Sequence, residues 1–416
     1  MLHNLVKSYK DKKGEVDFWL EDLRNKVKGP IYNSVDLRNS GFKIAAIDTN
    51  IFPAGFNNLC PNYSKETGIL FKAHINKYYP NVKNIIIFPE GHTKNTYYLE
   101  NVRKLQNIIK EHGFRIYVAH YDSEIAGTHT TAASEELIIH EFKKENDIIF
   151  INSPETFIPD IILTNNDFSG GIPEILKNVK IPILPNPNLG WFQRSKYGHQ
   201  KHYEILIEEF AKLLDVDSWF FSPITIKIEN VNFQTKEGFE KIAKAIEELL
   251  KQIQAKYNQH NIKETPYVFI KNDSGTYGIA IHHVEKPEEI IEMNRKTRNK
   301  LSIGKDKKAV TDIIIQEGIP TVERFKGLTG EPVIYLVGNN ATGGFFRLNE
   351  DKDEKGNLNT GGMRFTKLCF HEMLGYENNS TDCDIECLEE LYFKIAEIAS
   401  IASGMEMLEL EKDITK

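Results

Sequence analysis

A lysine at the end of an apolar strand, followed directly by a glycine-containing loop, is the first candidate for chemistry in this sequence. Residues 266–278 read Pro-Tyr-Val-Phe-Ile-Lys-Asn-Asp-Ser-Gly-Thr-Tyr-Gly, and the lysine is Lys271. A strand can hold a lysine against phosphate groups, and glycines let backbone amides approach an anion closely. The pattern therefore predicts a lid over a nucleoside triphosphate. The predicted ATP contacts in this segment are Lys271, Ser274, Gly275, Thr276, Tyr277 and Gly278.

The residues after this loop limit the kind of nucleotide site. Ile279 to Ile281 form an apolar, strand-like run, so the loop leads from one strand to another. A P-loop needs Gly-Lys-Ser/Thr at the start of a helix, and the Rossmann fingerprint also opens a helix, so the segment matches neither. A glycine hairpin with a solvated lysine is the alternative interpretation.

A second segment, Ile-Ile-Ile-Gln-Glu-Gly at 313–318, predicts a hinge that holds a nucleoside. An apolar strand here delivers a backbone edge and a carboxylate to the same point. The backbone of Gln316 to Gly318 is expected to read adenine, and Glu317 is expected to bond the ribose hydroxyls. A strand that simply ends in a turn is the alternative.

A third segment supplies an arginine and two amides. Residues 343–348 lead to Arg347, whose guanidinium can bond two oxygens of a phosphoryl group at once. Asn357 and Asn359 are two residues apart, so on an extended segment they share one side, where their oxygens suit Mg²⁺. An asparagine-glycine hairpin turn is the alternative. The order of lysine–glycine loop, hinge, strand, arginine and asparagine pair resembles that of ATP-grasp ligases.

The elements that must position these residues predict an α/β fold with added α+β elements. In the first half, the runs Ile85–Phe88 and Ile116–Ala119 flank a helical pattern from Leu99 to Ile109, and this β-α-β unit indicates a parallel sheet. We predict an N-terminal parallel-sheet substrate domain at 1–215, of the kind that precedes an ATP-grasp unit, and an ATP-grasp nucleotide-binding domain at 216–416. The boundary follows a helical pattern that ends near Leu214.

Composition favours small-molecule ligands over macromolecular ones. The formal net charge is −7 and the pI is about 6.1, so we predict no nucleic acid and no membrane as partners. No apolar run is long enough for a bilayer span, and the N-terminus lacks a signal-peptide core. Four scattered cysteines predict reduced thiols and a cytoplasmic location. Homo-oligomerisation is left open.

Longer motifs, which run in order from near residue 35 to near residue 365, narrow the resemblance. They are Asp36-Leu-Arg-Asn-Ser-Gly-Phe-Lys43, Asp48-Thr-Asn-Ile-Phe-Pro-Ala-Gly-Phe-Asn-Asn-Leu59, Pro89-Glu-Gly-His-Thr-Lys-Asn95, Leu189-Gly-Trp-Phe-Gln-Arg-Ser-Lys-Tyr-Gly-His199 and Glu331-Pro-Val-Ile-Tyr335, together with the three segments above. With these motifs the whole chain resembles the proteobacterial glutamate–cysteine ligase family, the type built on an ATP-grasp fold.

The resemblance implies ATP-dependent joining of the glutamate γ-carboxylate to the cysteine amine, the first step of glutathione biosynthesis. The products are γ-glutamylcysteine, ADP and phosphate, and the intermediate is an acyl phosphate. Cations must neutralise the charge gathered at the phosphates, and Lys271 and Arg347 are the predicted catalytic residues. The cosubstrate is ATP, and the cofactor is Mg²⁺, with Mn²⁺ as a substitute.

The amino-acid substrates are expected between the two domains, among polar residues set in aromatic and glycine-rich sequence. Arg38 or Arg194 is a candidate clamp for the glutamate α-carboxylate, and Glu90 or Asp48 for its ammonium group. For each, an ordinary surface charge or a buried ion pair is the alternative. The predicted substrate residues are Arg38, Asp48, Asn57, Asn58, Glu90, Arg194 and Lys196.

The metal ligands are harder to assign. Most ATP-grasp ligases hold two magnesium ions with an aspartate and a Glu-x-Asn motif, but no such motif followed by glycine or proline comes after Asn359 here. The acids of the C-terminal helix are expected to face solvent. The predicted ligands are therefore Asn357, Asn359 and Glu331, with Asp312 and Glu323 as further candidates.

Two other functions fit the same motifs. One is an ATP-grasp ligase that joins a different amine to a glutamate-like acid. The other is a nucleotide-binding protein without catalysis. Turnover with a panel of amines distinguishes a ligase for another amine from a glutamate–cysteine ligase. The effect of replacing Lys271 or Arg347 distinguishes a non-catalytic protein from an enzyme.

Overall fold

A computed structural model describes residues 1–152, 155–274, 281–294, 297–298, 301–302, 310–366 and 384–414 of the chain. The helices in these ranges are α1 (Leu2–Lys26), α2 (Pro61–Tyr78), α3 (Thr96–Lys110), α4 (Lys196–Leu214), α5 (Lys236–Gln259), α6 (Glu288–Ile291) and α7 (Ile385–Ile414). The strands are β1 (Tyr32–Asn39), β2 (Ile44–Asn50), β3 (Asn84–Pro89), β4 (Arg115–His120), β5 (Gly127–Thr130), β6 (Glu136–Glu145), β7 (Ile148–Ile151), β8 (Ile161–Asn165), β9 (Ile183–Leu184), β10 (Thr225–Ile228), β11 (Val268–Asn272), β12 (His282–Val284), β13 (Ile313–Glu317), β14 (Arg324–Phe325), β15 (Leu328–Val337), β16 (Asn340–Asn349) and β17 (Met363–Phe365).

The N-terminal sheet has the parallel centre that the sequence predicts. Its order is β5-β6-β4-β3-β8-β9, and β7 pairs with β6. Strand β3 runs parallel to both β4 and β8. Helix α3 crosses from β3 to β4, and its first turn is capped by the Asn95 side chain, which accepts a hydrogen bond from the Tyr98 amide. The β-α-β prediction is confirmed, and so is the α/β class.

A four-stranded antiparallel sheet, β10-β13-β11-β12, carries the lysine strand and the hinge strand side by side. Lys271 on β11 lies opposite Ile314 on β13. Helix α5 covers one face with a continuous apolar stripe, which includes the buried residues Phe239, Ile246 and Ile253. Burying each such side chain contributes roughly 1.5–3 kcal/mol. The sheet is therefore a firm base for the two segments predicted to bind nucleotide.

A six-stranded sheet joins the two halves of the chain. Its order is β17-β16-β15-β1-β2, with β14 on β15. Strand β1 pairs antiparallel with β15, and Val35 lies opposite Ile334. Strands from the first half thus complete a sheet of the second half. The domain boundary near residue 215 stays a prediction, and any such division has to allow for this shared sheet.

Helices α1, α4 and α7 pack together against this sheet. Helix α7 contacts both α1 and α4 and buries Leu391, Tyr392 and Ile395 almost completely. Helix α1 was not expected from the sequence, because its many charges hide a buried stripe at Leu5, Tyr9, Val16 and Leu20. The 4-, 7- and 4-residue spacing of that stripe is a helical signal that a stricter count would have found.

One smaller expectation needs correction. Cys60 is disulfide-bonded, so the prediction of four reduced thiols is wrong at this position. Cys387 is a free, buried thiol, and Cys369 and Cys383 lie outside the described residues. Within the ranges given above, no helix is apolar over a length that would cross a bilayer.

Candidate active site

Two neighbouring cavities collect most of the residues that the sequence singles out. We call the smaller one, of about 40 Å³, the hinge cavity, because the hinge strand β13 forms part of its wall. The larger one, of about 1210 Å³, is the main cavity. Asp36, Asp48, Arg347 and Asn359 line both cavities, so the two spaces meet at these four residues. The hinge cavity is lined by Asp36, Arg38, Ile47, Asp48, Phe269, Lys271, Ile281, Gln316, Glu317, Ile319, Glu331, Arg347, Asn357 and Asn359.

Lys271 projects from β11 into the hinge cavity and is 6% exposed. Its Nζ donates to Gln316 Oε1 at 2.6 Å and to the Ile47 carbonyl at 3.2 Å. Burial lowers the pKa of Lys271 to about 8, although the charge of the nearby Asp48 acts in the opposite direction. The ammonium is therefore poorly solvated and stands ready for an anionic ligand. Phe269, two residues earlier on the same strand face, lines the same cavity.

The Glu317 carboxylate at the end of the hinge strand is already fully engaged. Its Oε2 accepts hydrogen bonds from Lys43 Nζ at 2.7 Å and from the Ile224 amide at 2.9 Å. The Trp219 indole lies 3.2 Å from each carboxylate oxygen. The predicted ribose contact of this side chain is therefore not supported, because its oxygens are used to anchor the hinge.

The hinge backbone is partly engaged as well. The Glu317 amide donates to the Ile224 carbonyl at 2.8 Å, and the Gly318 amide donates to the Tyr267 carbonyl at 2.8 Å. A Cβ on Gly318 would lie 2.2 Å from the Tyr267 ring, so only glycine fits there. Adenine recognition by residues 316–318, as the sequence predicts, would therefore have to use carbonyl groups, or the next amide at Ile319, which lines the cavity.

Arg347 is the centre of a buried charge network. Its Nη1 donates to Asp36 Oδ2 at 2.7 Å and to Glu331 Oε1 at 2.6 Å. Burial raises the pKa of Asp36 against the effect of Arg347. Burial acts in the same direction on Glu331, but there Arg38 and Arg347 outweigh it and lower the pKa. The network holds a guanidinium at the meeting point of the two cavities.

Arg38 and Glu331 have structural contacts that correct two predicted roles. Arg38 Nε donates to Glu331 Oε2 at 2.6 Å, and its other nitrogens bond the carbonyls of Ile319, Glu354 and Gly356. The guanidinium thus holds a loop and is not open to clamp a carboxylate. Both oxygens of Glu331 accept from arginines, so Glu331 is not suited to be a metal ligand.

Asp48 lies opposite Asp36 in the β1–β2 pair and lines both cavities. Lys196 Nζ bonds Asp48 Oδ1 at 2.5 Å and stands 4.6 Å from the centre of the Trp191 ring. Burial alone would raise the pKa of Asp48, but Lys196 and Lys271 together lower it. Asp48 is therefore an anion held between two lysines. Its predicted role at a substrate ammonium stays a prediction.

Arg194 belongs to the protein interior. It is 1% exposed, and its Nε and Nη2 donate to the two oxygens of Glu406 at 3.0 and 2.6 Å. Glu406 lies on α7, and it is buried rather than facing solvent as the sequence led us to expect. The bidentate pair fixes α7 beside the Thr49 carbonyl, which Arg194 also contacts. Arg194 is therefore not available as a substrate clamp.

The main cavity opens where the parallel strands of the N-terminal sheet end. In open α/β sheets, ligands bind in the crevice outside the carboxyl ends of such strands. His92 follows β3, Asp167 follows β8, and both line the cavity with Asn57 and Asn58. Glu90 is buried next to this wall, where it contacts His92. The roles of Asn57, Asn58 and Glu90 with substrate stay predictions.

Hard oxygen donors for a divalent cation are present where the cavities meet, but they are few. Asn357 and Asn359 line the hinge cavity with Asp36 and Asp48. The Asn357 side chain accepts a hydrogen bond from the Asn359 amide at 3.0 Å, which fixes the turn. Among the described side chains, no group of three or more His, Cys, Asp or Glu is arranged to hold a metal. Carboxylate and amide oxygens still fit Mg²⁺, which commonly keeps phosphate and water as its other ligands.

Part of the predicted lid lies outside the described residues, namely Gly275, Thr276, Tyr277 and Gly278. Ser274 is described, and its amide donates to Asn272 Oδ1 at 3.3 Å. Asp312 and Glu323 do not line the hinge cavity; Glu323 accepts hydrogen bonds from Asn39 and Tyr392 instead. These two acids are therefore not supported as metal ligands.

Asp36 is the main site residue to which the sequence assigned no role. It alternates with Ser34 and Arg38 along β1, and all three line one cavity or the other. This two-residue period of polar side chains in a strand was the available signal. Glu406, the partner of Arg194, had no such signal, because the two residues are 212 positions apart in the sequence.

Comparison with known proteins decides the family. The glutamate-cysteine ligase family model matches residues 7–407. This chain belongs to the glutamate-cysteine ligase family. A solved structure from Methylobacillus flagellatus KT, named as a candidate gamma-glutamylcysteine synthetase, has 32% sequence identity and a TM-score of 0.89, with 98% of this chain and 96% of that chain covered. The family resemblance drawn from the motifs is therefore confirmed.

Two other solved structures superpose on this chain much less well. D-alanyl-alanine synthetase A from Vibrio cholerae O1 biovar eltor has 10% identity and a TM-score of 0.34, over 76% of this chain and 80% of that chain. A glutathione synthetase-like effector from Globodera pallida has 11% identity and a TM-score of 0.37, over 88% and 79%. No curated protein sequence matches this chain.

Proposed function

We propose that this ligase joins the γ-carboxylate of glutamate to the amine of cysteine in an ATP-dependent reaction through an acyl phosphate. The observation that supports this most directly is the meeting of the two cavities at Asp36, Asp48, Arg347 and Asn359. A triphosphate in the hinge cavity and a carboxylate in the main cavity would approach each other there.

The proposed chemistry has two steps. A γ-carboxylate oxygen attacks the γ-phosphorus of ATP, the bond to the β-bridging oxygen breaks, and ADP leaves. The neutral amine then attacks the acyl carbon, phosphate leaves with the bonding electrons, and the amine proton passes to solvent. Lys271 and Arg347 would stabilise the charge on the transferred group, because Arg347 lies where the cavities meet, Lys271 lines the adjoining hinge cavity, and both are buried.

Magnesium fits the first step as a partner of the triphosphate. When bound, it would neutralise phosphate charge, and Asn357, Asn359 and Asp48 are the residues that would hold it. The side chains of the protein itself would bind and orient the nucleotide and keep Lys271 aimed at the phosphates. Mn²⁺ is expected to substitute. A cytoplasmic location and the ATP-grasp domain at 216–416 remain part of this proposal.

A panel of amines tests the substrate. Purified protein with ATP, Mg²⁺ and glutamate is expected to release ADP at least about tenfold faster with cysteine than with alanine or glycine, since a binding difference of only about 1.4 kcal/mol gives that ratio. Coupled ADP release and mass spectrometry of the dipeptide give the readout. Equal rates with all three amines would favour a ligase with another acceptor. ATP binding without ADP release under any condition would favour a non-catalytic protein.

The low pKa of Lys271 gives a second prediction. At pH 8.5 the lysine is largely neutral in the free protein, because its pKa is about 8. The phosphate groups of a bound nucleotide favour the charged form and raise that pKa, so binding takes up a proton. Calorimetry of ADP binding in buffers of different ionisation enthalpy is expected to show this uptake at pH 8.5 and to show less at pH 6.5. The uptake should be missing in Lys271→Met, and the same uptake in that variant would assign it to another group.

A further inference from the structure

A second buried lysine contacts the hinge at Glu317, the residue next to the Gln316 that Lys271 contacts. Lys43 stands just before β2, and its side chain has no exposed surface. Its Nζ lies 2.7 Å from Glu317 Oε2 and 4.2 Å from the centre of the Trp219 ring. Burying an ammonium group is unfavourable unless nearby groups stabilise its charge. Here the Glu317 carboxylate and the face of the Trp219 indole do so.

The partner, Glu317, is the residue at which the hinge strand ends. Three donors from different parts of the chain converge on its carboxylate, namely Lys43, Trp219 and the Ile224 amide. The carboxylate side chain therefore cannot rotate without breaking several bonds at once. Glu317 lines the hinge cavity at the end of β13, so fixing its side chain also holds the adjoining backbone of the hinge in place.

Lys43 also directly precedes β2, a strand that supplies other residues of the site. Strand β2 begins at the next residue, offers the Ile47 carbonyl to Lys271 and carries Asp48. One short segment thus connects the hinge, the cavity lysine and the wall of the main cavity. A buried ion pair adds little net stability compared with apolar residues of similar volume, so its contribution here lies in the geometry that it enforces.

We propose that Lys43 is a positioning residue for nucleotide binding, which acts through Glu317 to hold the backbone edge of the hinge in place. It does not itself touch the nucleotide. The inference rests on the proposed nucleotide site in the hinge cavity, and it adds a residue from the N-terminal half of the chain to that site.

The test measures the affinity of the full-length protein for ADP with Mg²⁺ by calorimetry, so it does not depend on ligase activity. Lys43→Met removes the charge and the hydrogen bond while keeping a long side chain. We expect roughly tenfold weaker ADP binding, the size of change that a displaced hydrogen-bonding edge produces. The KM for glutamate should change by less than about twofold, because that substrate does not rest on the hinge.

Two further variants separate positioning from stability. Lys43→Met combined with Glu317→Gln removes both charges, so it should recover much of the stability that an unpaired buried carboxylate loses. Arg24→Met is the matched control, since Arg24 pairs with the buried Glu397 at 2.6 Å and lines neither cavity. It should lower the melting temperature without changing ADP affinity.

The outcomes are distinct. ADP binding that stays weak in the double variant, after its melting temperature has recovered, supports the inference. ADP binding of wild-type strength in either Lys43 variant overturns it, as does an equal loss in Arg24→Met. If the wild-type protein binds no ADP at all, the proposed nucleotide site fails and the inference fails with it. Failure in the Lys43 variants alone leaves the proposed function standing.

Discussion

Replacing Lys271 with methionine is expected to lower kcat by at least about 100-fold, the scale seen when one preorganised charge stabiliser is removed. Lys271 lines the hinge cavity and is held by Gln316 and the Ile47 carbonyl, so its ammonium has a fixed position. Methionine keeps the apolar length of the side chain and removes only the charge and the donors. The KM for glutamate should change much less than kcat.

A lysine of the same sheet provides the control for this variant. Lys227 on β10 pairs with Glu229 and Asp273 and does not line the hinge cavity. Lys227→Met should leave kcat per folded molecule within about threefold of wild type, because Lys227 lines neither cavity. Steady-state ADP release at saturating ATP measures both variants. Near-normal turnover in Lys271→Met would refute the catalytic role and favour a nucleotide-binding protein without catalysis.

Arg347→Met is the second variant with a large expected effect. We expect a loss of at least about 100-fold in kcat/KM, because the guanidinium lies where the two cavities meet and is the only positive charge among the described residues that line both. The same change leaves Asp36 and Glu331 without a cation, and breaking a buried pair in this way costs about 3–5 kcal/mol of stability. Turnover must therefore be expressed per folded molecule, with the folded fraction taken from urea unfolding.

Two companion variants make the Arg347 result specific. Arg347→Lys keeps the positive charge but loses the planar fork, so it should recover stability more than turnover. Arg324→Met is the control within the same sheet. Arg324 pairs with Glu354 at 3.2 Å and lines neither cavity, so turnover should stay close to wild type. Full turnover in folded Arg347→Met protein is the result that would remove Arg347 from the mechanism.

The local parts of the fold were readable from the sequence, while the long-range parts were not. The Ile85–Phe88 strand and the α3 stripe each carry their period within a short window, so pattern alone identified them. The joining of β1 to β15 depends on which edges meet in space, and no local pattern encodes that choice. The sequence therefore placed the boundary near residue 215 without any sign of the shared sheet.

The candidate site shows the same division. From residue type and order, Lys271, the hinge and Arg347 were predicted to form one site. In the structure all of them line one cavity. The sequence did not distinguish a charge that faces a ligand from one that is already paired. Arg38, Arg194 and Glu317 are each satisfied by a partner in the opposite half of the chain, namely Glu331, Glu406 and Lys43. Glu331 is held both by Arg38 and by Arg347, which is 16 residues away. These partners are visible only in the fold.

The shared sheet also constrains how the protein is made. Arg38 and Glu331, on its neighbouring strands, are separated by 293 residues. At ~5–20 residues per second on the ribosome, the nascent chain carries β1 with one edge unpaired for roughly 15–60 s before β15 emerges. An open strand edge can pair with other chains, so we expect the incomplete chain to aggregate more readily than the completed protein, in which β15 covers this edge.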